Sequence, residues 1–349
     1  MRAIILSITL LLASCSTIEK TSDTPMHYKG ARIEDGFRNL YIPDKNKNIF
    51  DFLSMKWFDD YVWADHFKLA DTVPRQPIDI DGIKNPEPVQ ITWIGHSTFL
   101  IQVNGLNILT DPIFSDRASL VSFAGPKRYV PHMMDYDELP EIDHVIISHN
   151  HYDHLDENSI KRIGSNTTYH VPLGLTETIS DWFEHNNKPS IIEYDWWENK
   201  SYEQISFKAL PSQHWSARGL FDRMDTLWAS WLIEIGGQRI YFAGDTGFSE
   251  KLFKEIGNDL KYVDIAILPI GGYEPRSFMK DFHINPEEAL KIHQLINARM
   301  SIGMHYGTFP LTAEAPMEPV NYIKRLLTQK EYSDLNFKTM ELGSTLINR

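Results

Sequence analysis

The sequence predicts an α/β fold of two mixed sheets covered by helices, and three observations carry that reading. Short strand-like runs joined by a tight turn follow Pro88, strand and helix patterns alternate from His144 onward, and His and Asp residues stand directly at strand ends. At 349 residues, 42% hydrophobic and 23% charged, the chain can bury a large core, and it shows no low-complexity tract or obvious repeat.

Arg2 gives a positive start, and Ala3 to Leu12 is an apolar run broken only by Ser7 and Thr9. It is too short to span a bilayer as a helix and has the layout of a secretory signal. Leu12-Ala13-Ser14-Cys15 resembles the bacterial lipobox, in which the cysteine is acylated and becomes the new N-terminus, and Cys15 is the only cysteine in the chain. Residues 1–14 are therefore expected to be a lipoprotein signal peptide, 15–87 a tether and extension, and 88–349 one catalytic domain. Within the extension, Ile49–Phe67 reads as an amphipathic helix that packs on the domain or contributes to a lipid-binding groove.

From Val89 the elements sharpen. Val89–Ile94, Ser97–Val103 and Asn107–Thr110 read as strands, with Asn104-Gly105 as a hairpin turn. His144–Ser148 is a buried strand running into a polar cluster, and helix Glu157–Ile163 follows. The series continues through Thr168–Val171, helix Leu173–Glu184, Ile191–Tyr194, Gln204–Ala209, Ala229–Glu234 and Arg239–Ala243. Helix Glu250–Leu260, strand Val263–Leu268, helix Pro286–Ile296, strand Met300–Met304, helix Val320–Thr328 and strand Phe337–Leu342 close it.

Formal charge is −13, and −14 once Arg2 leaves with the signal, so nucleic acid is excluded as a partner and anionic headgroups repel the surface. Acyl chains on Cys15 would hold the protein at a membrane despite that charge. Ser16 after the cysteine points to the periplasmic side of an outer membrane, if the host follows the enteric sorting rule. The lone cysteine also removes disulfides and cysteine-based metal sites, which leaves His, Asp and Glu as ligands.

The chemistry concentrates in Ser148-His149-Asn150-His151-Tyr152-Asp153-His154. Three imidazoles and a carboxylate in six residues are costly to leave unpaired, and strand alternation would set His149 and His151 on one side. Neutral imidazole and carboxylate suit zinc and related ions. His214, Asp245 and His305 follow, each at a strand end.

This HxHxDH spacing, with the downstream residues in the same order, resembles the metallo-β-lactamase superfamily, whose fold is a four-layer αββα sandwich. Trp93–Thr98, Leu109–Phe114, Gly125–Arg128, Ser212–Trp215, Gly244–Gly247 and Pro269–Arg276 narrow the resemblance to the N-acylphosphatidylethanolamine-hydrolysing phospholipases D. The resemblance runs from about Val89 to Gly307 and does not extend to the segment before it. It implies two zinc ions, one on His149, His151 and His214, the other on Asp153, His154 and His305, bridged by Asp245. It implies hydroxide between the metals attacking phosphorus, with Asp245, Asp153 and His283 as catalytic residues and His283 binding the substrate phosphate or protonating the leaving group, not binding metal; Arg276 is read either as a clamp on that phosphate or as half of an internal salt bridge. His96 and Asp111 are expected to order loops. The implied reaction releases an N-acylethanolamine-like alcohol from a phospholipid and leaves phosphatidic acid; relatives include dimers. Two other functions compete: a lactonase or other carboxylic-ester hydrolase of the same fold, and a non-catalytic metal-binding envelope lipoprotein.

Overall fold

The computed structural model describes residues 32–33, 36–42 and 61–348, so the signal peptide and Cys15 lie outside the described residues. A small ribbon, β1 (Arg32–Ile33) with β2 (Gly36–Phe37), precedes the main fold. Two seven-stranded sheets then share one plan. In the first, β3 (Val89–Gly95), β4 (Thr98–Val103) and β5 (Leu106–Thr110) pair antiparallel, and β6 (His144–Ile146), β7 (Thr168–Pro172) and β8 (Ser190–Tyr194) continue in parallel. In the second, β9 (Asn199–Tyr202), β10 (Ile205–Leu210), β11 (Ser230–Ile235) and β12 (Gln238–Phe242) are antiparallel. They are followed in parallel by β13 (Val263–Pro269), β14 (Ala298–Met304) and β15 (Phe337–Lys338). The last strand, β16 (Thr345–Ile347), returns to the first sheet beside β3.

Period-2 alternation explains how one sheet serves two cores. On β3 and β4, Ile91, Trp93, Phe99 and Ile101 point into the central core between the sheets with Phe207, Trp231 and Ile233. Their neighbours Ile94 and Leu100 point outward to a second core with Ile83, Ile160 and Ile179 of helices α1 (Ile80–Lys84), α2 (Glu157–Ile163) and α3 (Thr176–Ser180). Helices α4 (Glu250–Leu260), α6 (Pro286–Leu295) and α7 (Glu318–Leu326) cover the second sheet, and the short α5 (Arg276–Met279) lies in a loop. The result is the expected four-layer αββα sandwich. α4 shows why these residues form a helix: Ser249 caps Leu252 N–H, and Leu252, Phe253, Ile256 and Leu260 form one buried stripe.

Several boundaries differ from the sequence expectation for local reasons. The strand expected over His144–Ser148 stops at Ile146, so His149 and His151 meet through a loop and not through strand alternation. The helix expected over Leu173–Glu184 shrinks to Thr176–Ser180 because Gly174, at φ 91°, is outside helical space. β9, a polar edge strand, and β16, paired to a distant partner, carry too little apolar pattern to be read. Most of the helix expected over Ile49–Phe67 falls outside the described residues, and the described part, 61–67, runs as loop and turn. The Asn104-Gly105 hairpin is present, with both residues at positive φ, 51° and 79°. The extension is also no mere tether: Asn39 is buried, and its side chain bonds both the carbonyl and the N–H of His214 at 2.8 and 3.0 Å.

Candidate metal centre

The loops leaving the C-terminal ends of β6, β10, β12 and β14 converge and bring all seven sequence-predicted ligands together. His149 Nε2 lies 2.8 Å from His151 Nδ1, which lies 3.3 Å from His214 Nε2. Asp153, His154 and His305 form the second cluster, with His96 beside them. Asp245 stands between the two: its Oδ2 is 3.3 Å from His154 Nε2, 3.1 Å from His305 Nε2 and 3.9 Å from His214 Nε2.

Neighbouring groups fix which ring nitrogen faces inward. His149 Nδ1 is engaged by Ser148 Oγ, His214 Nδ1 donates to the Phe282 carbonyl, and His154 Nδ1 bonds Asp111 Oδ2. Asp111 also accepts from Ser148 N and Oγ at 2.7 and 2.6 Å, so one buried carboxylate orients two stretches of the centre. His96 Nε2 holds Asp153 Oδ2 at 2.9 Å, and its carbonyl accepts the His305 N–H. His96, Asp111 and His305 all sit at positive φ (53°, 33° and 64°), backbone strain of about 1–3 kcal/mol each that the surrounding structure must offset. Gly244 is required for close approach, since a Cβ there would lie 2.5 Å from the Ser148 Cβ. His96 and Asp111 thus do more than order loops: they grip ligand side chains directly.

The donor set fits divalent cations. His154 Nε2, both ring nitrogens of His305, and Asp245 Oδ1 are buried without a hydrogen-bond partner, a costly state unless a cation satisfies them. Imidazole and carboxylate without sulfur match zinc and its neighbours.

Electrostatics point the same way. Burial dominates His149, His151 and His214 and lowers all three, the latter two to about 3, so they are neutral lone-pair donors at pH 7. Burial raises Asp153 and Asp245, but the neighbouring imidazoles outweigh it and hold both carboxylates well below their usual range. For His305, burial alone would lower the pKa; Asp245 and Asp153 reverse it and push it up to about 9. His154 is raised in the same way. Cation uptake must displace these protons. At pH 7 binding is therefore expected to release protons, and apparent affinity to weaken as pH falls below about 9. Calorimetry in buffers of different ionisation enthalpy measures this, and a buffer-independent heat would contradict it.

Residues 106–306 match the model of the beta-lactamase superfamily domain. The chain belongs to the beta-lactamase superfamily. Within it, the chain is 39% identical over 310 residues to N-acyl-phosphatidylethanolamine-hydrolyzing phospholipase D 1 of Caenorhabditis elegans, covering 85% of this chain and 86% of that one. It is 37% identical to the mitochondrial enzyme of the same description from Saccharomyces cerevisiae, over 74% of this chain and 56% of the yeast protein. The metallo hydrolase Igni18 of Ignicoccus hospitalis shares the fold at TM-score 0.53 and 23% identity, over 74% of this chain and 97% of that one. This superfamily member is a metal-dependent hydrolase.

His283 reaches the centre as well. Its Nδ1 is 3.7 Å from Asp245 Oδ2, and its ring stands 5.1 Å from that of His214. Burial lowers its pKa to about 3 despite the raising effect of Asp245, so the imidazole is neutral. For Arg276 the structure shows the salt-bridge alternative: its Nη2 donates to both carboxylate oxygens of Glu288, at 2.8 and 2.9 Å, and its Nη1 donates to the His283 carbonyl at 2.7 Å. It positions the His283 loop. Arg276→Gln and Glu288→Gln are accordingly expected to lower kcat by a similar factor with KM little changed. Steady-state kinetics check this, and a rise in KM confined to Arg276→Gln would restore a direct contact.

Sequence reasoning missed Asn39 and Glu314. Glu314 is buried and accepts the N–H groups of Gly272, Tyr273 and Glu274, which fixes the loop bearing Gly272 against His305 and His283. A single Glu in a Thr-Ala-Glu-Ala stretch carries no signal for that role. For Asp111, whose part is to orient His154, Asp111→Asn is expected to weaken metal binding by about 10–100-fold. Competition with a fluorescent chelator would show it, and an unchanged affinity would contradict it.

Proposed function

We propose that the protein hydrolyses the distal phosphodiester bond of an N-acylphosphatidylethanolamine-type phospholipid, releasing an N-acylethanolamine and leaving phosphatidic acid. The observation that carries this reading is the 39% identity to the Caenorhabditis elegans phospholipase over 86% of that enzyme's length. The geometry of the centre supports it, because one cluster of three imidazoles and another of two imidazoles and a carboxylate flank a shared carboxylate, with unsatisfied buried atoms among them.

His149, His151 and His214 would hold one cation, Asp153, His154 and His305 the other, with Asp245 shared; zinc is the expected identity. When bound, such a pair supplies Lewis acidity that activates water near neutral pH and neutralises phosphoryl charge. The remaining work belongs to the chain. Neutral His283, close to Asp245, is placed to turn a ring N–H toward a phosphoryl oxygen or the departing alkoxide oxygen. Arg276 and Glu288 keep its loop in place. Trp215, 4.3 Å from the His151 ring, shields that side of the centre.

Anchoring through acylated Cys15 at a cell-envelope membrane is part of the same proposal, and metabolic labelling with a fatty-acid analogue, lost in Cys15→Ser, tests it. The activity test is the product profile of metal-loaded protein given N-acylphosphatidylethanolamine and an acyl-homoserine lactone. Chelator-sensitive phosphatidic acid is the expected product. Turnover of the lactone alone would replace this reading with that of a carboxylic-ester hydrolase.

A further inference from the structure

Among the described residues, exposed large apolar side chains are concentrated on loops beside the metal centre. Among the described residues eight large hydrophobic side chains are exposed, and all but Ile347 stand on three loops that lean on the metal centre. The first bears Tyr61, Val62 and Phe67; it is tied to Ala313 through Ala64 N–H, and its His66 lines one small cavity with His96 and His305. The second bears Leu120 and Phe123, and its Ala118 packs with Ile113, Phe309 and Tyr152. The third bears Leu220 and Phe221; its Arg218 carbonyl accepts the Tyr152 hydroxyl at 2.7 Å, and the Arg218 guanidinium lies 4.2 Å from that ring. Tyr152 sits between His151 and Asp153, so the bases of the second and third loops meet at the ligand loop. Their tips turn out to solvent: Phe123 is 80% exposed and Phe221 96%.

Such a patch, borne on loops at the mouth of a site, is not the single scattered exposure of an ordinary surface. Its fringe also departs from the acidic whole. Arg117 and Lys127 flank the Leu120–Phe123 tip, with Arg117 bracing it through the Ser122 and Gly125 carbonyls, and Arg223 stands beside Phe221 over the Trp215 ring. Of the nearby acids, Asp116 bonds His132 and Asp222 is engaged by the Arg218 and Gly219 N–H groups. Cations around apolar tips complement a phospholipid surface, phosphate outside and hydrocarbon beneath.

We propose that these loops seat the mouth of the metal centre on a phospholipid bilayer, with Leu120, Phe123, Leu220 and Phe221 entering the acyl region and Arg117, Lys127 and Arg223 meeting lipid phosphates. The inference rests on the phospholipid reading of the site, since a substrate with acyl chains must be taken from a bilayer.

The test uses the full chain carrying Cys15→Ser, which frees thiol chemistry for placed probes. Phe123→Cys, Phe221→Cys and, in the turn beyond α7, Lys330→Cys are each labelled with an environment-sensitive nitrobenzoxadiazole dye and mixed with phosphatidylcholine–phosphatidylethanolamine vesicles. The expected result is a blue-shifted, several-fold brighter emission at 123 and 221, with the label at 330 unchanged. Labels at 123 and 221 that stay dim with vesicles, or brighten with protein concentration in their absence, overturn the proposal; the latter makes a second copy of the chain the occupant. In a parallel arm, Leu120→Ser/Phe123→Ser/Leu220→Ser/Phe221→Ser is expected to hydrolyse vesicle lipid at least about tenfold more slowly. Its turnover of soluble bis(4-nitrophenyl) phosphate should stay unchanged, and equal losses on both substrates count against docking. Insertion of the labels without any lipid hydrolysis by the parent chain would sink the phospholipase reading and leave the docking surface standing.

Discussion

Asp245→Asn is expected to lower kcat/KM by at least on the order of 10³-fold, about 4 kcal/mol of transition-state stabilisation, and to strip the centre of at least one cation. The reason is position. Among the described residues Asp245 is the carboxylate that reaches both clusters, with Oδ2 at 3.1 Å from His305, 3.3 Å from His154 and 3.9 Å from His214. An amide fills the same space but brings no charge to hold two cations apart. It also turns N–H donors toward the cations, where a ligand oxygen is needed. Kinetics on a phosphodiester, paired with metal analysis of the same sample, measure both losses. Retention of activity within about tenfold, with two cations still bound, would contradict the shared role of this residue.

Trp231→Ala carries the largest expected effect on stability, about 3–5 kcal/mol. Trp231 is fully buried on β11 in the central core, against the edge of the Tyr194 ring. Its Nε1 donates to the Ile147 carbonyl at 2.9 Å, just where β6 ends and the ligand loop begins. Removal therefore leaves both a cavity and an unpaired buried carbonyl two residues before His149. Trp231→Phe separates the two: it keeps most of the ring volume and loses only the hydrogen bond, at about 1–3 kcal/mol for the orphaned acceptor. Denaturant unfolding of the three proteins should order them wild type, Phe, Ala. An Ala variant as stable as wild type would show that this indole does not hold the sheets together.

Much of the fold was legible because its sheets are buried on both faces and announce themselves as dense apolar strands between turn residues. Helices with strong caps were read to the residue: Ser249 opens Glu250–Leu260 and Asp156 opens Glu157–Ile163. What escaped depends on partners far away in sequence. β16 is a strand because Thr345–Ile347 pairs with Gln90–Thr92, which no local pattern reveals. The centre divides in the same way. Its seven converging side chains stand in recognisable motifs, but the groups that orient them do not. Asn39 pins His214 across 175 positions, and Glu314 braces its loop across 40 or more. For Arg276 the sequence left a phosphate clamp and an internal salt bridge equally open, because its partner Glu288 lies 12 residues on, in the capping box of α6. Residue type was informative; the partner was not.

The most direct test is the metal content of the folded, reconstituted protein, measured by elemental mass spectrometry against protein concentration. Two equivalents of divalent cation per chain are predicted. A folded chain that binds one equivalent or none would contradict the account of two donor clusters joined by Asp245.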